Sequence, residues 1–71
     1  MEWEVVAGAN IRRLRKARGL TQEQLAHEAS MAARYLAGVE RGEENPSLRF
    51  LVKIAEALGA EPADLLKRNS R

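Results

Sequence analysis

Few side chains in this 71-residue chain could do chemistry, and their distribution excludes most of it. There is one histidine, His27, and no cysteine. A thiolate or histidine-rich metal site therefore cannot be assembled, nor can a Cys/His or Ser/His/Asp catalytic set. No pair of carboxylates lies in an apolar stretch, and no glycine-rich phosphate loop is present. The expectation is a protein that is not an enzyme, with no metal, no cofactor and no small-molecule substrate. What remains is cationic. Residues 12–18 read Arg-Arg-Leu-Arg-Lys-Ala-Arg, five cations in seven positions, and nine arginines stand against three lysines in the whole chain. The acids gather later, at Glu43, Glu44, Glu56, Glu61 and Asp64. A cationic end on a chain of net charge +2 points to phosphate as a partner. The competing reading is a solvated helix face.

These groups must be positioned by a small body. At 45% hydrophobic and 31% charged residues the chain is globular in composition. A chain this short buries only about 60% of its unfolded surface. With no disulfide available, helix packing has to supply the stability. The longest uncharged runs, such as residues 5–11, fall well short of the roughly 20 apolar residues that span a bilayer. The acidic start Met-Glu-Trp-Glu does not read as a signal peptide. One cytoplasmic domain over residues 1–71, without membrane contact, is expected.

Periodicity predicts an all-α chain with helices at about 4–18, 22–29, 33–40, 48–58 and 62–67, and a frayed tail at 69–71. In the first, Ala7, Ile11, Leu14 and Ala17 share a face, Gly8 weakens the early turns, Gly19 fits a left-handed cap and Trp3 is expected to close the core. Thr21 and Gln24 have the spacing of a capping box, and Leu20 and Leu25 that of a hydrophobic staple, before a stripe of Leu25, Ala26 and Ala29. In the third, Leu36, Val39 and Glu40 lie on one face, opposite Arg34, Ala37, Gly38 and Arg41, and Gly42 ends it. Asn45-Pro46 makes a turn, and Ser47 caps a helix whose stripe is Leu48, Leu51, Ala55 and Leu58, stopped by Gly59. Pro62 opens the last helix, with Leu65 and Leu66 as its apolar residues. Two short helices joined by a tight turn, at 21–29 and 33–40, make a helix-turn-helix candidate whose second rod can enter a major groove.

Here the chain resembles the Cro/phage-repressor-type helix-turn-helix regulators, the xenobiotic-response-element-like group. The residues that carry the resemblance are Ile11-Arg12-Arg13-Leu14-Arg15, Gly19-Leu20-Thr21-Gln22-Glu23-Gln24-Leu25-Ala26, Val39-Glu40-Arg41-Gly42, Asn45-Pro46-Ser47-Leu48 and Ala57-Leu58-Gly59. They cover about residues 8–67. The resemblance implies a five-helix, all-α, lambda-repressor-like domain that binds double-stranded operator DNA, usually as a homodimer, and regulates transcription.

Carried over residue by residue, the resemblance implies a phosphate contact for Gln22 at the start of the second helix, against a merely solvated side chain. It implies an internal Arg15–Glu40 salt bridge, which a glutamate in the stripe of Leu36 and Val39 also requires on its own account. The recognition helix departs from the pattern. Ser30 stands where glycine is common, and Ala32 stands where a polar cap is usual. Arg34 suits guanine O6 and N7, or equally a phosphate. Tyr35 and Arg41 are the other long side chains near the groove. Ala33 and Ala37 can meet thymine methyls or only leave room, and Gly38 permits close approach. Near Asn45 and at Ser47 the backbone can hold a phosphate, with Arg49 beside it. Glu43 and Glu44 either oppose DNA or form a solvated turn. Arg12, Arg13, Lys16 and Arg18 read as surface charge that attracts DNA without specifying sequence, and His27 as solvated. Phe50, Leu65 and Leu66 are the dimer candidates. A second reading keeps the fold but turns it into a protein-interaction module. The alanine-rich third helix and the acidic loop favour that reading, while the arginines and Gln22 oppose it.

Overall fold

Four α-helices and a closing 3₁₀ turn make up the computed structural model, which describes residues 2–68. The helices are α1, Glu2–Ala17; α2, Gln22–Glu28; α3, Ala33–Glu40; and α4, Leu48–Leu58. The segment expected as a fifth α-helix at 62–67 is instead the 3₁₀ turn Pro62–Leu66. It is too short to propagate an α-helical ladder, and 3₁₀ geometry is common in such short pieces. The expected frayed tail at 69–71 lies outside the described residues.

The local signals act as their chemistry demands. Thr21 Oγ1 accepts from the Gln24 N–H at 3.0 Å, while Gln24 Oε1 accepts from the Thr21 N–H at 2.9 Å. Ser47 Oγ accepts from the Phe50 N–H at 3.3 Å. Gly19, Gly42 and Gly59 follow their helices with positive φ. A second reciprocal box, unmarked by serine or threonine, opens the 3₁₀ turn, where the Glu61 N–H donates to Asp64 Oδ2 at 3.0 Å.

The core gathers Ile11, Leu25, Ala26, Ala29, Leu36, Val39, Ile54, Ala55, Leu58 and Leu65. Two of the expected stripes hold except at one end, Ala17 on α1 and Leu48 on α4, and the buried seams take in further residues. On α1 the buried seam is Ala7, Gly8, Asn10, Ile11 and Arg15, and Ala17 faces solvent. On α4 Ile54 is buried while Leu48 is 72% exposed. Close packing decides the seam of α1. A methyl added at Gly8 would collide with the Val39 carbonyl oxygen and stand 2.8 Å from that of Glu40. The missing side chain therefore lets α1 cross the end of α3 at contact distance. Asn10 Nδ2 donates to the carbonyls of Leu65 and Lys67, each at 2.9 Å, so the C-terminal segment folds back along α1.

Trp3 does not close the core. It is 50% exposed and stacks under the Arg68 guanidinium, 4.5 Å from the ring centroid. Arg18, expected as surface charge, donates through Nη1 to the Leu58 carbonyl at 2.6 Å and so caps the end of α4.

Candidate nucleic-acid interface

The interface is built around one buried carboxylate. Glu40 closes the last turn of α3 with its side chain 1% exposed, and it accepts three hydrogen bonds. Arg15 donates to it twice, from Nε at 2.7 Å and from Nη2 at 3.0 Å. Its remaining Nη1 donates to the Leu20 carbonyl at 2.8 Å, just before α2 begins. Gln22 Nε2 supplies the third bond, at 3.0 Å to Oε1. α1, the α1–α2 connection, α2 and α3 are thus locked at one point. The short bidentate pair also holds the Arg15 guanidinium above its ordinary pKa, chiefly through its hydrogen bonds to Glu40. The expected Arg15–Glu40 bridge is present. Gln22, expected to look outward, has its amide half-buried and turned onto the same carboxylate.

The turn between α2 and α3 is held by backbone. The Ser30 N–H donates to the His27 carbonyl at 3.1 Å and the Met31 N–H to the Ala26 carbonyl at 2.9 Å. Ser30 takes φ 57°, a left-handed conformation that costs a serine roughly 1–2 kcal/mol. Ala32 precedes α3 without a side-chain cap. His27 is exposed on α2, as expected.

With Leu36, Val39 and Glu40 buried, helical geometry turns Arg34, Ala37, Gly38 and Arg41 away from the core. Arg34 is exposed and has no hydrogen-bonding or ion-pair partner among the described residues. Arg41 is also exposed, but its Nε donates to Glu43 Oε1 at 3.0 Å. Ala33 and Ala37 are half-buried. Gly38 is buried, because the side chain of Glu44 lies across it. The Glu43 N–H donates to the Gly38 carbonyl at 3.0 Å, pinning the loop against the helix. The acidic pair is solvated but lies along α3, a placement the loop composition does not reveal.

The Tyr35 ring is half-buried and packs against Phe50 of α4, with centroids 5.5 Å apart and planes tilted by 52°. Burial first, and the charge of Glu44 second, push the Tyr35 hydroxyl pKa above its ordinary value. The Lys53 ammonium sits over the Phe50 ring, 5.5 Å from its centroid, a cation that no motif or spacing marks. Asn45, Ser47 and Arg49 are exposed together at the start of α4. Of the three dimer candidates, Leu65 is 0% exposed and cannot touch a partner, since Asn10 draws its segment into the core. The Phe50 ring is engaged with Tyr35 and Lys53, and Leu66 is 40% exposed.

Comparison with known proteins agrees with this architecture. The helix-turn-helix family (HTH_3) matches residues 11–65. The restriction-modification controller protein C.AhdI from Aeromonas hydrophila is similar in structure, with TM-score 0.85 and 45% identity over 87% of this chain and 94% of that one. SinR, a master regulator for biofilm formation solved in complex with DNA, superposes with TM-score 0.82 at 35% identity, covering 86% of this chain and 98% of that one. The immunity repressor protein of Bacillus phage phi105 is 46% identical over 57 residues, which is 80% of this chain and 40% of the repressor. With a left-handed turn between α2 and α3, a locked Arg15–Glu40 pair and a family match across most of its length, this chain belongs to the helix-turn-helix family.

Proposed function

We propose that this protein is a transcriptional regulator that binds double-stranded DNA sequence-specifically, inserting α3 into the major groove. The observation that carries the reading is the outward face of α3, where an exposed Arg34, unpaired among the described residues, stands on a helix fixed from behind by Arg15, Gln22 and Glu40. A rigid rod of α-helical width fits a groove about 12 Å wide. The SinR complex supports the reading, because a similar chain was solved with DNA.

In this arrangement Arg34 contacts a base or a phosphate, Ala33, Ala37 and Gly38 allow close approach, and Tyr35 and Arg41 flank the groove. Asn45, Ser47 and Arg49 meet the backbone from the start of α4, and the backbone at Gln22 meets it from the start of α2. One short helix reads only a few base pairs, so a homodimer on a palindromic operator is the expected form. Half-sites about 34 Å apart leave room for two copies whose extents are 30 × 21 × 18 Å. Leu66 and the rim of Phe50 are the contacts left for such a dimer. None of the helices is long and apolar enough to cross a membrane among the described residues, and a cytoplasmic regulator fits that.

The Arg41–Glu43 pair is the observation that favours the alternative, a protein-interaction module, because it spends a cation of the reading face internally. Fluorescence anisotropy with mixed-sequence duplex across a salt series separates the two. A DNA binder loses affinity along a straight log–log line, with a slope set by the phosphates neutralised. Affinity no better than that of an arbitrary peptide of equal charge would transfer the assignment to the interaction module.

A further inference from the structure

α3 has no side chain at position 38, although that position lies at the middle of its outward face. The space is not empty. A Cβ built on Gly38 would stand 2.8 Å from Glu44 Cγ and 3.4 Å from its Oε2, so the loop side chain lies flat where residue 38 would have projected. Two contacts hold the loop there. The Glu43 N–H donates to the Gly38 carbonyl at 3.0 Å, and the Glu43 carboxylate accepts from Arg41 Nε at 3.0 Å. Glu44 itself remains exposed, so its carboxylate is reachable from outside. It also lies close enough to Tyr35 to raise the pKa of that hydroxyl.

We propose that Glu44 supplies the functional group that α3 lacks at Gly38 and reads an exocyclic amino group of a base in the major groove. This rests on the DNA-binding reading above and deepens it. An ionised carboxylate can only accept hydrogen bonds. Phosphate oxygens, guanine O6 and N7, and thymine O4 are also acceptors, so each repels it. The groove groups that satisfy it are the amino N–H of cytosine N4 and that of adenine N6, and pairing of acidic side chains with cytosine follows from this geometry. Arg34 on the same face offsets the charge the carboxylate brings near the backbone, while Arg41 is already paired with Glu43. The pair of signs on one face implies opposite demands at neighbouring base pairs, an acceptor-rich edge for Arg34 and an amino group for Glu44.

The test is selection of bound fragments from a random duplex library with the full chain, Glu44→Gln and Glu44→Ala, with thermal melting of each. The exposed position predicts unchanged melting. The wild type should enrich cytosine or adenine at one position per half-site by roughly ten-fold, and the base recovered tells N4 from N6. Glu44→Ala should erase that preference and leave the rest of the recovered site intact, while affinity for unrelated duplex rises. Glu44→Gln keeps an acceptor and gains a donor, so it should broaden the same position. A recovered site that is identical in wild type and both variants, with only overall affinity raised, makes Glu44 a general repellent and overturns the inference alone. Absence of enrichment in the wild type overturns the DNA-binding reading and this inference with it.

Discussion

Gln22 and Glu40, the first residue of α2 and the last of α3, are joined by a 3.0 Å hydrogen bond from Nε2 to Oε1. The bond closes the helix-turn-helix at its open end, since the turn at Ser30 and Met31 already holds the other. Arg15 completes the site from α1, so the angle of the reading helix is set by one buried carboxylate rather than by apolar contact alone.

Glu40→Ala leaves the Arg15 guanidinium buried without its partner. The expected loss is about 3 kcal/mol, or roughly 12–24 °C in Tm, read by thermal melting. Gln22→Ala removes a single N–H donor and should cost only about 1 kcal/mol. Should Gln22→Ala leave Tm unchanged yet weaken duplex binding several-fold, its side chain serves phosphate in the complex instead of Glu40.

Gly8→Ala separates two opposed effects. Helix propensity alone favours alanine by about 1 kcal/mol. The added methyl, however, would overlap the Val39 carbonyl oxygen, which is backbone and cannot rotate away. Overpacking of this kind costs about 1–3 kcal/mol, so the variant should melt below the wild type. A rise in Tm would show that α1 and α3 are farther apart in solution.

Arg34 and Arg49 should fail differently. Arg34→Ala is expected to relax base preference by about 1–3 kcal/mol at one position per half-site, while leaving the slope of log affinity on log salt nearly unchanged. Arg49→Ala, at the start of α4, should weaken all duplexes alike and lower the slope by about 1 per protomer. Anisotropy titrations at several salt concentrations measure both, and an altered slope with intact preference for Arg34→Ala would make Arg34 a phosphate contact.

Tyr35 is the only tyrosine, so tyrosinate absorbance reports it alone. Its pKa is raised in the folded protein, by burial first and Glu44 second. A raised value means that the folded state holds the proton more tightly than the unfolded chain. The corresponding stability is fully present below about pH 10, the ordinary tyrosine value, and is lost as pH rises through the folded pKa. The alkaline titration should therefore run later than that of a free tyrosine. Glu44→Gln should bring it only part of the way back, because burial remains. A titration unaltered by Glu44→Gln would place that carboxylate away from the α3 face.

The helices and their stops are legible in the amino-acid string alone, because their signals are local. Thr21 with Gln24, Ser47, and the glycines at 19, 42 and 59 each act within one turn of chain, so spacing identifies them. The Arg15–Glu40 pair is legible for a different reason, since a carboxylate among Leu36 and Val39 has no tolerable state without a cation. Long-range geometry settles the rest. Asn10, a polar residue in an apolar-looking helix, is buried because carbonyls more than fifty residues away need its amide. Arg18 turns to the end of α4, Leu65 goes inside while Leu48 and Trp3 stay out, and Gln22 looks inward. Above all, nothing in the string Gly-Glu-Glu-Asn shows that one of its acids lies across Gly38. That placement depends on where α3 ends relative to the loop, which is a property of the packed helices, whereas caps and stripes are properties of neighbours along the chain.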